Sequence, residues 1–73
     1  MTDELRFKKI FRACFDFLMQ YDGKSPQDYN WDSIAEHCLI VCAQFNEDKL
    51  LSEMMSDCVG ELERKWKASR KQH

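Results

Sequence analysis

Three stretches of this chain repeat their apolar residues at steps of three and four, and the phase of the repeat is lost between one stretch and the next. Residues spaced this way share one face of an α-helix but scatter over both faces of a strand, so the pattern fixes the kind of element before anything else is considered. The first stretch carries Phe7, Ile10, Phe11, Cys14, Phe15, Leu18 and Tyr21. The second carries Trp31, Ile34, Ala35, Cys38, Val41, Cys42 and Phe45. Continuing that second stripe would place Lys49, Ser52 and Glu53 in the interior, so the phase breaks at Phe45–Asn46. A third stripe then begins with Leu50, Leu51, Met54, Met55, Cys58, Val59, Leu62 and Trp66.

Local chemistry puts ends on these helices. Thr2 or Asp3 offers a cap to the first, and Asp22-Gly23 offers a stop with a left-handed glycine. The segment DGKSPQDYN holds the chain's one proline, Pro26, and reads as the loop. Asn30, Asp32 or Ser33 can cap the second helix, and Ser33–Glu36 has the form of a capping box. Asn46 reads as the cap of the third helix, with Glu47 and Asp48 favourable at its positive end and Phe45 against Leu50 as a hydrophobic staple. The expected helices therefore cover about residues 3–21, 31–45 and 47–69, with a frayed basic tail over 70–73. Two glycines, one threonine and two valines in 73 residues leave little material for turns or strands, which agrees with an all-α chain.

The expectation is a single helical domain over residues 1–73, an up-down-up three-helix bundle with a long third helix. A short second turn makes the second and third helices antiparallel, and the longer first loop lets the first helix run parallel to the third. Charge supports this order. Arg6, Lys8, Lys9 and Arg12 then lie at the end that holds Glu47, Asp48 and Glu53, although each exposed pair contributes only about 0–1 kcal/mol. The third helix outruns the second, so its Trp66 needs a cover, and the loop supplies one as an aromatic cap of Tyr21, Tyr29, Trp31 and Trp66.

Several functions are disfavoured at this level. The polar start MTDELRFKK gives no sign of a signal peptide, and no apolar run approaches the roughly 20 residues of a membrane span, so a cytoplasmic protein with no membrane association is expected. In that compartment the four cysteines are reduced. Cys14, Cys38, Cys42 and Cys58 all fall on apolar faces near the middle of the bundle. Four is the number a zinc site needs, yet no CxxC pair exists, and buried free thiols are common in cores. Core thiols are the preferred reading, with a thiol-based metal or redox sensor as an alternative. No catalytic constellation, no cofactor and no small-molecule ligand are expected, because a bundle this small leaves no cleft of ligand size.

The net charge of −2 divides unevenly: residues 1–63 hold six Lys or Arg against thirteen Asp or Glu, whereas residues 64–73 hold five Lys or Arg and no acid. Arg64, Lys65, Lys67, Arg70 and Lys71 beside Trp66 are a minimal recipe for binding phosphate, which makes a nucleic-acid-associated accessory or regulatory protein the second alternative. The acidic body opposes it, and cations at a helix C-terminus have the simpler role of complementing the helix dipole. What remains is an apolar outer face on the second helix. Ile40 points away from the core positions Cys38, Val41 and Cys42, with Leu39 and Ala43 beside it, and Phe17 and Met19, at the two edges of the first helix's apolar arc, can enlarge the patch. Leu39, Ile40, Ala43 and Phe17 are therefore the expected interface of a protein-interaction module, with a second copy of the chain or another protein as partner.

Overall fold

The structure, a computed structural model, describes residues 3–70. Three helices form an up-down-up bundle: α1 (Glu4–Asp22), α2 (Trp31–Gln44) and α3 (Lys49–Arg70), the last being the longest, with a single 3-10 turn over Pro26–Asp28 between the first two. All three helices touch one another, and the 3-10 turn packs on α3. The result is a rod of 53 × 20 × 18 Å.

The core follows a strict alternation of four- and three-residue steps. Ile10, Cys14, Phe17 and Tyr21 are buried on α1, and Leu51, Met55, Cys58 and Leu62 on α3. On α2 the same spacing runs through Ile34, Cys38, Val41 and Phe45, of which Ile34 and Val41 are fully inside. This is a heptad seam, the arrangement by which nearly parallel helices interdigitate. Tyr29, Trp31 and Trp66 close one end. Their rings form an edge-to-face series Tyr21–Tyr29–Trp31–Trp66 with centroids about 6 Å apart, as the sequence predicted.

Two local expectations need correction. Asn46 does not cap α3. It ends α2: Asn46 and Glu47 both have positive φ, the Glu47 N–H donates to Cys42 O, and the Asn46 N–H donates to Ala43 O. That is a Schellman termination with Asn in the left-handed position that glycine usually takes. The cap of α3 is Asp48, whose Oδ1 accepts from the N–H groups of Leu50 (2.9 Å) and Leu51 (3.3 Å), so the helix starts at Lys49. At the other turn Gly23 has φ −86°, an ordinary right-handed value, so the glycine supplies no left-handed stop. Asn30 is the cap of α2, its Oδ1 accepting from the Ser33 N–H at 3.1 Å.

The largest correction concerns α1. Phe7, Phe11 and Phe15, expected inside, are exposed, whereas Phe17, expected at the surface, is 1% exposed. The helix is rotated about its axis relative to the expected face. Phe17 packs its ring on His37 of α2 at 4.8 Å between centroids and on Tyr21 of its own helix at 5.4 Å, so one aromatic contact across α1–α2 and one within α1 accompany this rotation.

Candidate interaction surface

Rotating α1 to bury Phe17 leaves Phe7, Phe11 and Phe15 in a stripe along the outside, extended by Met19 one turn further. Phe11 and Phe15 are 58% and 57% exposed. Successive members are four residues apart, so their side chains lie on one side of the helix over about three turns. Helical spacing places this stripe about 100° from the core residues, on the side of α1 opposite α2. Leu18 on α1 and Leu50 and Met54 on α3 are half-buried against the core beside it, so the stripe continues into the furrow between α1 and α3.

Lys8 and Arg12 line an open groove with Lys9, Ala13 and Asp16 of α1 and Phe45 of α2, and Glu53 and Asp57 are exposed on α3. Lys8 pairs with Glu4 and Arg12 with Asp16, both pairs spanning one turn and largely exposed. Among the described residues, Glu53 and Asp57 have no ion-pair partner. Arg6 belongs to the frame of the bundle instead: its guanidinium grips Asp48 through Nε (2.9 Å) and Nη2 (3.1 Å) and ties the start of α1 to the start of α3. That hydrogen-bonded ion pair holds the Asp48 carboxyl below its ordinary value.

The patch expected on α2 is present in part. Leu39 and Ile40 are 70% and 49% exposed, and Ala43 is exposed as well. Leu39 also borders an open groove of about 390 Å³ between α2 and α3, floored by Cys38 and Val59 and edged by Ser52 and Ser56. Phe17 does not belong to this patch, being buried. Met19 was expected to enlarge a contact patch; the exposed phenylalanines Phe7, Phe11 and Phe15 are what sequence reasoning missed. Their signal was the width of the apolar arc on α1, which runs from Ala13 through Phe17, Cys14 and Phe11 to Met19 and exceeds what one helix buries between two neighbours.

The four thiols meet in the middle of the bundle. Cys14, Cys42 and Cys58 are buried in the core, and Cys38 is half-buried against it. All four are unoxidised, and Cys38 is the most accessible of them. Burial, reinforced by the neighbouring thiols, pushes the Cys14 pKa up to about 11, the opposite of what a nucleophile or a metal ligand needs. Among the described residues, no group of three or more His, Cys, Asp or Glu side chains is arranged to hold a metal ion.

On the basic segment, Arg64 pairs with Glu61 one turn earlier, and the Arg70 guanidinium lies over the Trp66 ring at 4.7 Å. Lys65 and Lys67 are exposed, and Lys71 lies outside the described residues. Trp66, the one aromatic on which a base would stack, is thus engaged by Trp31 and Arg70. Among the described residues, no helix is long and apolar enough to cross a membrane. No family model, no curated protein and no solved structure matches the chain.

Proposed function

We propose that this protein is a helical protein-interaction module that self-associates through the outer face of α1. The observation that carries this reading is the unbroken apolar stripe of Phe7, Phe11, Phe15 and Met19, exposed on a bundle whose remaining aromatic rings are packed inside or against the core. At about 200 Å² per ring, three phenylalanines left roughly half bare present about 300 Å² of apolar surface before Met19 is added, the size at which a patch on a small protein marks a binding site. Leu39 and Ile40 on α2 form a smaller second patch without aromatic anchors, and aromatic side chains dominate the energetics of interfaces.

Sedimentation velocity over micromolar to millimolar concentration, with circular dichroism of the same samples, tests the reading. The wild type is expected to form a dimer. Phe11→Glu is expected to yield a monomer of unchanged helicity, because the substituted position is exposed in the single chain. Ile40→Glu is expected to leave the dimer intact. A dimer dissolved by Ile40→Glu and untouched by Phe11→Glu moves the interface to α2, and a wild type that stays monomeric throughout removes self-association.

A further inference from the structure

The outer ridge of α3, we infer, is a second contact between copies of this chain, in which two α3 helices lie antiparallel and cross at Gly60. It is independent of the apolar stripe on α1 and gives the module a further surface. Positions 53, 57, 60, 64 and 67 follow one another by steps of four and three, so they form one line along α3. At about 100° per residue that line runs on the side of the helix opposite the buried Met55, Cys58 and Leu62, facing away from the bundle.

Glu53 and Asp57 occupy the first half of the ridge and Arg64 and Lys67 the second, with Gly60 between them, and all four charged side chains are exposed. Turning a second α3 end for end about Gly60 sets Asp57 opposite Arg64 and Glu53 opposite Lys67, twice over. A parallel pair would set acid on acid and base on base. The order is complementary to itself only when reversed, so a second copy of the chain is the occupant it selects. Within one helix the same order is unfavourable, because Glu53, Asp57 and Glu61 follow at i,i+4, where like charges repel. Among the described residues, Glu53, Asp57 and Lys67 have no ion-pair partner, and Arg64 holds only Glu61, three residues earlier. Lys49 is the one cation in the acidic half, at the first residue of the helix and about three turns from Gly60.

Gly60 points the same way on separate grounds. It lies in the interior of a 22-residue helix, where glycine is the least favourable residue after proline. Its φ is not positive, so the backbone conformation does not require a glycine. A Cβ added there would meet nothing closer than the Arg64 guanidinium at 4.0 Å, so no contact within the chain requires one either. At the centre of a charge order that is symmetric about it, a glycine lets two helix backbones approach closely. At a crossing of about 20°, the helices separate by only a few ångströms over the ~10 Å from Gly60 to Glu53 or Lys67, a gap that long side chains span. Ion pairs beside water add little each, so this contact is weak and salt-dependent, unlike the apolar contact of α1.

Sedimentation velocity of Phe11→Glu, which lacks the α1 contact, isolates this one. The variant is expected to be monomeric at about 0.15 M salt and to dimerise at about 0.01 M, with a dissociation constant at least about tenfold lower, because the Debye length grows from ~8 to ~30 Å. Added to that background, Asp57→Arg and Arg64→Asp are each expected to abolish the low-salt dimer. The two together set acid opposite base again and are expected to restore it. Gly60→Leu is expected to abolish it too, while raising the melting temperature of the single chain because leucine is the better helix former, which separates a blocked contact from a misfolded protein. A Phe11→Glu that stays monomeric at low salt overturns the α3 contact. So does a low-salt dimer that survives Gly60→Leu or that the paired charge reversal fails to restore. None of these outcomes touches the α1 contact, which the wild type reports at 0.15 M salt, where exposed charges are screened.

Discussion

Phe17 and Phe11 are the same residue type six positions apart on one helix, and their neighbours give them opposite roles. Phe17 packs on the rings of His37 and Tyr21 and is 1% exposed, so Phe17→Ala removes a full ring from the core and is expected to cost about 3–5 kcal/mol in urea unfolding. Phe11→Ala, measured at concentrations where the chain is monomeric, is expected to stay within about 0.5 kcal/mol of wild type. Asn46 is a second such case. Its φ of 54° needs a residue that tolerates the left-handed region, so Asn46→Ala is expected to cost about 1 kcal/mol and Asn46→Gly to be neutral or mildly stabilising. Asp48 both caps α3 and holds Arg6. Asp48→Asn keeps an oxygen for the cap and loses the ion pair, so it is expected to destabilise less than Asp48→Ala. Because Arg6 depresses the Asp48 pKa, this contribution is complete above the ordinary carboxylate value and is lost as pH falls through it towards the folded-state value. Acid titration of wild type beside Asp48→Asn is expected to show the difference between them shrinking over that interval.

At the scale of the helix, α1 is the informative element because its sequence supports two heptad seams. Phe7, Phe11, Cys14 and Leu18 make one; Ile10, Cys14, Phe17 and Tyr21 make the other, and Cys14 belongs to both. Nothing within the helix chooses between them. The choice comes from α2, whose His37 stacks on Phe17 and lies 3.1 Å from the Tyr21 hydroxyl through Nδ1, and from the loop, whose Tyr29 meets Tyr21. By contrast α2 and α3 each carry one clear seam, and their inner faces were legible in the sequence: Leu51, Met55, Cys58 and Leu62 of the third stripe are all buried. The thiols follow from the seams. Each lies at or next to a seam position, so modification by an alkylating reagent near neutral pH is expected to be slow in the folded protein and fast on unfolding, with Cys38 leading. Since Cys14 titrates near 11 when folded, above its ordinary value, folding loses support as pH rises from about 9 towards 11, where the unfolded thiol ionises first. Burial raises Cys38 and Cys58 as well, so alkaline unfolding is expected to show a larger loss in the wild type than in Cys14→Ala.

The whole molecule is small enough that its core and its surface cannot be separated. Twelve buried apolar residues hold three helices together along a rod 53 Å long, so most side chains lie within one layer of water. Chains of this size commonly gain stability from association. Thermal unfolding of the wild type is therefore expected to shift upward with protein concentration, whereas Phe11→Glu is expected to unfold at a temperature independent of it. What the sequence by itself determined is everything that depends on spacing along one strand of chain: three helices, their limits to within two residues or so, the up-down-up order that Arg6 and Asp48 confirm, and the aromatic closure at Trp66. Periodicity encodes these because a residue's direction on a helix is fixed by its number. Only the tertiary structure decided how far α1 turns about its own axis, because a helix apolar over more than half its circumference has several faces of similar hydrophobicity. Which face is buried depends on how Phe17 and Tyr21 meet His37 of α2, contacts between residues distant in sequence, and that same rotation sets Phe7, Phe11 and Phe15 on the outside.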